Sequence, residues 1–181
     1  MANILIFGGS KGLGFEITKA MNVHKELEPI VISRNASEII KSSKYKNIKS
    51  EDINLSECNI DSLLKVYKKY YPISGICFSQ RYRSKFELDQ KEIDNNEYLV
   101  MVRSIALSLQ ALIKYFEYFK INTFKTRIVV IGSTYSVSSG YDQDWNYHAC
   151  KAAQYSLVKF YALRSEGRFN INMISPATYI K

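Results

Sequence analysis

Tyr147 and Lys151 stand in the run Tyr147-His-Ala-Cys-Lys151. On a helix this spacing sets both side chains on one face, one turn apart. A phenol with its ordinary pKa of about 10 exchanges protons poorly near neutrality, but an adjacent ammonium stabilises the phenolate and makes the pair a usable general acid or base. A second group of residues points to a different task. Gly8, Gly9, Gly12 and Gly14 crowd into Ile6-Phe-Gly-Gly-Ser-Lys-Gly-Leu-Gly-Phe15, four of the eight glycines in the chain. Glycine at 8 permits a tight turn, glycine at 12 lets a phosphate approach the backbone, and glycine at 14 lets a helix pack closely on a strand. A helix starting near Leu13 then directs its N-terminal amides at an anion.

These groups need a scaffold, and the hydrophobic pattern supplies one. Short apolar runs at Ile4–Phe7, Ile30–Ile32, Ile76–Phe78, Ile128–Ile131 and Ile171–Ile174 read as buried parallel strands. Between them Leu99, Val102, Ala106, Leu109, Ile113 and Phe116 fall at three- and four-residue steps, the mark of an amphipathic helix, and Ile60 to Tyr71 is a second such segment. Strands joined by crossovers of this length form a parallel α/β sheet covered on both faces. With three prolines (Pro29, Pro72 and Pro176) and no low-complexity tract, residues 1–181 read as one domain.

The loop spacing Gly-x-x-x-Gly-x-Gly, followed by Tyr-x-x-x-Lys, resembles the short-chain dehydrogenase/reductase family. The resemblance implies a Rossmann-like doubly wound sheet of about six strands, order 3-2-1-4-5-6, in a single NAD(P)-binding domain. It implies a catalytic set of Ser133, Tyr147 and Lys151: Ser133, fourteen residues before Tyr147, hydrogen-bonds the substrate carbonyl, with Thr134 as the alternative hydroxyl. It implies cofactor contacts from Gly8, Ser10, Lys11, Gly12, Leu13 and Gly14 in the loop, and from Ser33, Arg34 and Asn35 after the second strand. In Val31-Ile-Ser-Arg-Asn35 a guanidinium stands where a carboxylate would hold free ribose hydroxyls, and Arg34 can bind a 2′-phosphate bidentately with help from Ser33 and Lys11, favouring NADP(H) over NAD(H). Asp52 and Ile53 match the segment after the third strand, with the Asp52 carboxylate accepting from the adenine amino group. Ser79 and Gln80 follow the fourth strand, and Tyr147 and Lys151 also hold the nicotinamide ribose. Pro176 and Thr178, in Asn172-Met-Ile-Ser-Pro-Ala-Thr178, match the stretch that contacts the nicotinamide.

The chain also departs from that family. Phe78-Ser-Gln-Arg81 replaces the usual Asn-Asn-Ala-Gly loop, Ala177 replaces a glycine, and Met101 stands where many members carry an asparagine that anchors a proton-relaying water. Family chains continue through a substrate-covering flap, whereas this sequence stops at Lys181, leaving the last strand an open edge and the domain C-terminally short. The implied function is an NADP(H)-dependent oxidoreductase moving a hydride between nicotinamide and a carbonyl or alcohol substrate, with Tyr147 as general acid/base. The alternative is a catalytically impaired NADP(H)-binding module serving as sensor or subunit partner. Helices carrying Tyr98 to Phe119 and Trp145 to Leu163 match those that build the interface of homodimers and homotetramers in relatives.

Composition sets outer bounds. Apolar residues make up 46% of the chain and charged residues 23%, an ordinary globular balance. The +8 net charge and the clusters at Lys41–Lys49 and at Arg81, Arg83 and Lys85 admit an anionic partner, yet no nucleic-acid recognition motif accompanies them. Apolar stretches are broken by charge before the ~18 residues of a bilayer span, and no signal peptide opens the chain. The expectation is a cytoplasmic protein that binds neither membrane nor nucleic acid. Cys58, Cys77 and Cys150 form no Cys-x-x-Cys, so reduced buried thiols and no metal site are expected.

Overall fold

The computed structural model describes residues 1–45, 47–82, 95–121, 126–138 and 145–177. Six strands, β1 (Ala2–Phe7), β2 (Leu27–Ser33), β3 (Lys49–Asp52), β4 (Ile73–Phe78), β5 (Thr126–Ile131) and β6 (Phe169–Ile174), form one parallel sheet in the order β3-β2-β1-β4-β5-β6. This is the topology the sequence predicts. Alternate strand residues divide the interior. Leu5, Phe7, Ile30, Ile32, Ile76, Phe78, Ile128 and Val130 join one large core cluster with α3 (Ile60–Lys69), α5 (Ser104–Tyr118) and α6 (Trp145–Arg164). On the other face Val31 packs with Ala36, Ile40 and Phe15, from α2 (Ala36–Ser42) and α1 (Gly12–Asn22). Each fully buried side chain of this kind is worth roughly 1.5–3 kcal/mol.

Three features differ from expectation. Asp52, expected after the third strand, is the last residue of β3, an edge strand that pairs only with β2 and carries no apolar run. The long helix expected to carry Tyr98 to Phe119 is interrupted: α4 (Asn95–Tyr98) and α5 are joined by a π turn, Leu99–Arg103. Near that turn Ser104 Oγ donates back to the Val100 carbonyl at 2.5 Å and accepts from Gln80 Nε2 at 3.1 Å. Finally, Asn95–Tyr118 is long and apolar enough to cross a membrane by length and composition, although the sequence reading finds no such stretch. In the fold Leu109, Leu112, Tyr115 and Phe116 of this stretch are buried in the main core. The three cysteines are buried and free of disulfides.

Candidate active site

Every strand runs in the same direction, so the loops that follow β1, β2, β4, β5 and β6 gather at one end of the sheet. The glycine loop follows β1. Gly8 has φ +76° and lies so close to the fourth-strand loop that a Cβ there would stand 2.6 Å from Gln80 Cα. Gly12 has φ +55° and faces open space, with nothing within 4 Å of where its Cβ would be. At Gly14 a Cβ would overlap the Gly8 carbonyl oxygen and Ser79 Oγ. A residue the sequence reading passed over secures the loop: Thr18, fully buried on α1, sits against the Gly9 and Gly14 carbonyls and hydrogen-bonds both, at 3.1 and 2.9 Å. The signal for it was a hydroxyl one helical turn beyond Gly14. No side chain caps α1 and no acidic residue occupies its first turn, so its leading amides face outward.

Around this loop the expected cofactor residues occupy distinct places. Ser33 Oγ donates to Ser10 Oγ at 2.8 Å, joining the β2 end to the glycine loop. Lys11, Leu13, Arg34 and Asn35 are exposed, and among the described residues neither Lys11 nor Arg34 makes an ion pair. Asp52 accepts from the Ser37 amide at 2.8 Å and from the Ser37 hydroxyl, so its carboxylate bonds the first turn of α2, and those bonds hold its pKa below the usual value. Ile53 packs partly buried against the main core, its amide donating to the Ser33 carbonyl at 3.0 Å. Ser79 uses its hydroxyl on the Phe7 carbonyl at 2.7 Å. Gln80, 5% exposed, donates its Nε2 to Ser104 and leaves Oε1 buried without a partner. An orphaned acceptor of this kind normally costs ~1–3 kcal/mol, and it calls for a donor.

The catalytic candidates meet where β5 ends. Ser133, 8% exposed, begins the 3₁₀ turn Thr134–Ser136, and its hydroxyl accepts from the Tyr135 amide at 3.2 Å. The Thr134 amide donates to the Pro176 carbonyl at 3.3 Å, tying the segment after β6 to the same turn, whereas Thr178 lies outside the described residues. Helix α6 packs across this turn. Tyr147 lies 8% exposed among Met101, Val102 and Cys150, so Met101, completely buried, forms an apolar wall beside the phenol. Lys151 Nζ donates to the Ile131 carbonyl at 2.9 Å and lies 5.6 Å from the centre of the Tyr147 ring. The Arg81 guanidinium lies over the other residue of the pair, 4.6 Å from the Tyr147 ring centre. Burial draws the Lys151 ammonium down to about 8, and the Arg81 charge acts in the same direction. Two further residues thus complete the group: Arg81, which the sequence reading took only as part of a replaced loop and a basic cluster, and Gln154, three residues beyond Lys151 on α6, which it did not consider. Gln154 is 1% exposed and touches Lys151 directly, accepting from Nζ at 3.0 Å. The other members of the Arg81 cluster, Arg83 and Lys85, lie outside the described residues.

No protein-family profile matches the chain, and none of the curated proteins does. Among solved structures it is similar to RhlG of Pseudomonas aeruginosa in an active-site complex with NADP, with a TM-score of 0.81 and 17% identity over 99% of this chain and 73% of that one. A short-chain dehydrogenase family protein from Francisella tularensis superposes with a TM-score of 0.79 and 22% identity, covering 98% of this chain and 70% of the other. A short-chain dehydrogenase from Bacillus anthracis also gives 0.79, at 17% identity, covering 97% and 75%. The chain therefore has the fold of the short-chain dehydrogenases.

Proposed function

We propose that this chain is an NADP(H)-dependent oxidoreductase acting on a small carbonyl or alcohol substrate. The observation that carries the reading is the placement of a buried ammonium, Lys151, one helical turn from Tyr147 and against the strand end that leads into Ser133. The surroundings fit a dinucleotide. The open space at Gly12 leaves room for a phosphate against the uncapped amides of α1, and Arg34 is an exposed cation at the end of β2. The similarity to an NADP-bound neighbour agrees with that choice. When bound, the cofactor supplies or accepts the hydride.

The chain's own residues do the rest. In reduction, Ser133 donates to the substrate carbonyl oxygen and Tyr147 passes its phenolic proton to the same oxygen as negative charge develops there. Lys151 and Arg81 place two positive charges near the Tyr147 ring. In oxidation Tyr147 receives the proton instead.

Tyr147→Phe tests the assignment, because it removes one oxygen and keeps the ring against Met101 and Cys150. NADPH titration followed by absorbance at the nicotinamide band over a panel of ketones, sugars and alcohols should show retained binding and a turnover loss of ~10²–10⁴. Undiminished turnover would remove Tyr147 from the mechanism. A wild type that binds NADPH and turns nothing over would favour the second reading, a cofactor-binding module, which the apolar Met101 beside the phenol supports.

A further inference from the structure

The ammonium of Lys151 is held by more than the strand end. Its side chain is 3% exposed, and beside Ile131 its second partner is Gln154, three residues along α6. The same amide reaches the other way, Nε2 donating to the Met101 carbonyl at 2.6 Å across 53 residues of sequence. Its orientation follows from chemistry: an ammonium only donates and a carbonyl only accepts, so the reversed amide would oppose like groups at both ends. Met101 belongs to the π turn Leu99–Arg103, where the helical hydrogen-bond ladder shifts by one residue.

We propose that Gln154 is a positioning residue for Lys151, its amide clamping the ammonium between the end of β5 and the π turn. Two of the three ammonium hydrogens are committed to Ile131 and Gln154, which leaves one for the phenol or for a sugar hydroxyl. A neutral amide is the suitable clamp. It stabilises the charged form by hydrogen bonding without adding a negative charge, so the field of the ammonium on the phenol is undiminished, whereas a carboxylate would cancel it. An amide also passes on no proton at neutral pH, so the inner side of Lys151 is closed to proton transfer. The charged and titratable groups about the ammonium are Tyr147 and Cys150 on its own helix, Arg81 after β4 and Glu97 on α4. Arg81 disfavours the charge, and Cys150 and Glu97 favour it. The purpose of the clamp rests on the proton-transfer reading above, but the clamp itself acts in the free protein.

Its test is the titration of Lys151 in the full chain without cofactor, followed by the ¹³Cε resonance of labelled lysine and assigned as the signal missing from Lys151→Arg. The wild type should titrate near 8. Gln154→Met removes the neutral acceptor and should lower the midpoint by about one unit, whereas Gln154→Glu places a carboxylate on the ammonium and should raise it above the wild type. A Gln154→Met midpoint within about a quarter unit of the wild type, or an ordinary lysine midpoint near 10.4 in the wild type, would overturn the clamp. Should Gln154→Met not fold, the near-isosteric Gln154→Glu decides alone: a raised midpoint supports the clamp, and an unchanged or lowered one overturns it. NADPH binding and turnover of the same proteins keep the two readings apart. Shifted midpoints without any turnover sink the enzyme and leave the clamp standing, whereas turnover with an unmoved midpoint sinks the clamp alone.

Discussion

Alanine substitutions at Gly12 and Gly14, two residues apart, should fail in opposite ways, because the space around the two positions differs. At Gly14 an added Cβ meets the Gly8 carbonyl oxygen and Ser79 Oγ, both fixed: the first is backbone, and the second is bonded to the Phe7 carbonyl. Helix α1 must therefore back away from β1, and overpacking of this kind costs roughly 1–3 kcal/mol. For a chain of this length that is a fall of about 3–10 °C in melting temperature. At Gly12 the added methyl meets nothing, and only the positive φ of +55° is unfavourable, a cost of about 1 kcal/mol. The methyl nevertheless projects into the space over the α1 amides where a phosphate would sit, and losing one charge-assisted hydrogen bond there costs ~1.5–3 kcal/mol, about ten- to a hundredfold in NADPH affinity. Thermal melts and calorimetric NADPH titrations on wild type, Gly12→Ala and Gly14→Ala read both quantities. Gly12→Ala should lose far more binding than stability, and Gly14→Ala should lose stability first. Unchanged NADPH affinity in Gly12→Ala would refute the phosphate site, and a wild-type melt in Gly14→Ala would refute the close helix–strand contact.

Arg34→Ala should weaken NADPH by about ten- to a hundredfold and NADH little; equal losses by titration, or a wild-type preference for NADH, would overturn the 2′-phosphate assignment. Reductive turnover should fall as pH rises through about 8, where Lys151 loses its proton, and Lys151→Arg, charged throughout, should lack that descent in its pH–rate profile. The same shift predicts a stability trend: the folded chain gives up this proton near 8 and an ordinary lysine near 10.5, so the unfolded chain binds more protons between those values and stability from this group rises with pH across that window. Urea unfolding of wild type against Lys151→Met at pH 7 and 9.5 should show the wild type gaining relative to the variant. Trp145, Phe160 and Leu163 are 62%, 48% and 87% exposed along α6, so light scattering should find a dimer or larger, and Leu163→Glu should shift it toward monomer; a wild-type monomer at micromolar concentration would refute this.

What the sequence determined by itself was whatever repeats along the chain or clusters within a few residues. The runs Ile4–Phe7, Ile30–Ile32 and Ile128–Ile131 announce buried strands because a parallel sheet covered on both faces takes both sides of its central strands out of water, and the observed order β3-β2-β1-β4-β5-β6 is the one that the resemblance implies. The four clustered glycines and the Tyr147/Lys151 spacing are equally local. Strand β3 was legible only through its neighbours, since an edge strand half in solvent keeps polar residues such as Lys49 and Asp52. The tertiary structure alone decided which groups the buried polar atoms would find. Gln154 looks like an ordinary helix residue until folding removes it from water, and then its amide must bond something, so it joins Lys151 to a carbonyl in a distant π turn. Arg81 likewise reads as one member of a basic cluster, and only folding brings the segment after β4, with its charge, over the Tyr147 ring. Periodicity records how deeply a residue is buried, whereas its polar partners are set by contacts across the fold that no local pattern encodes.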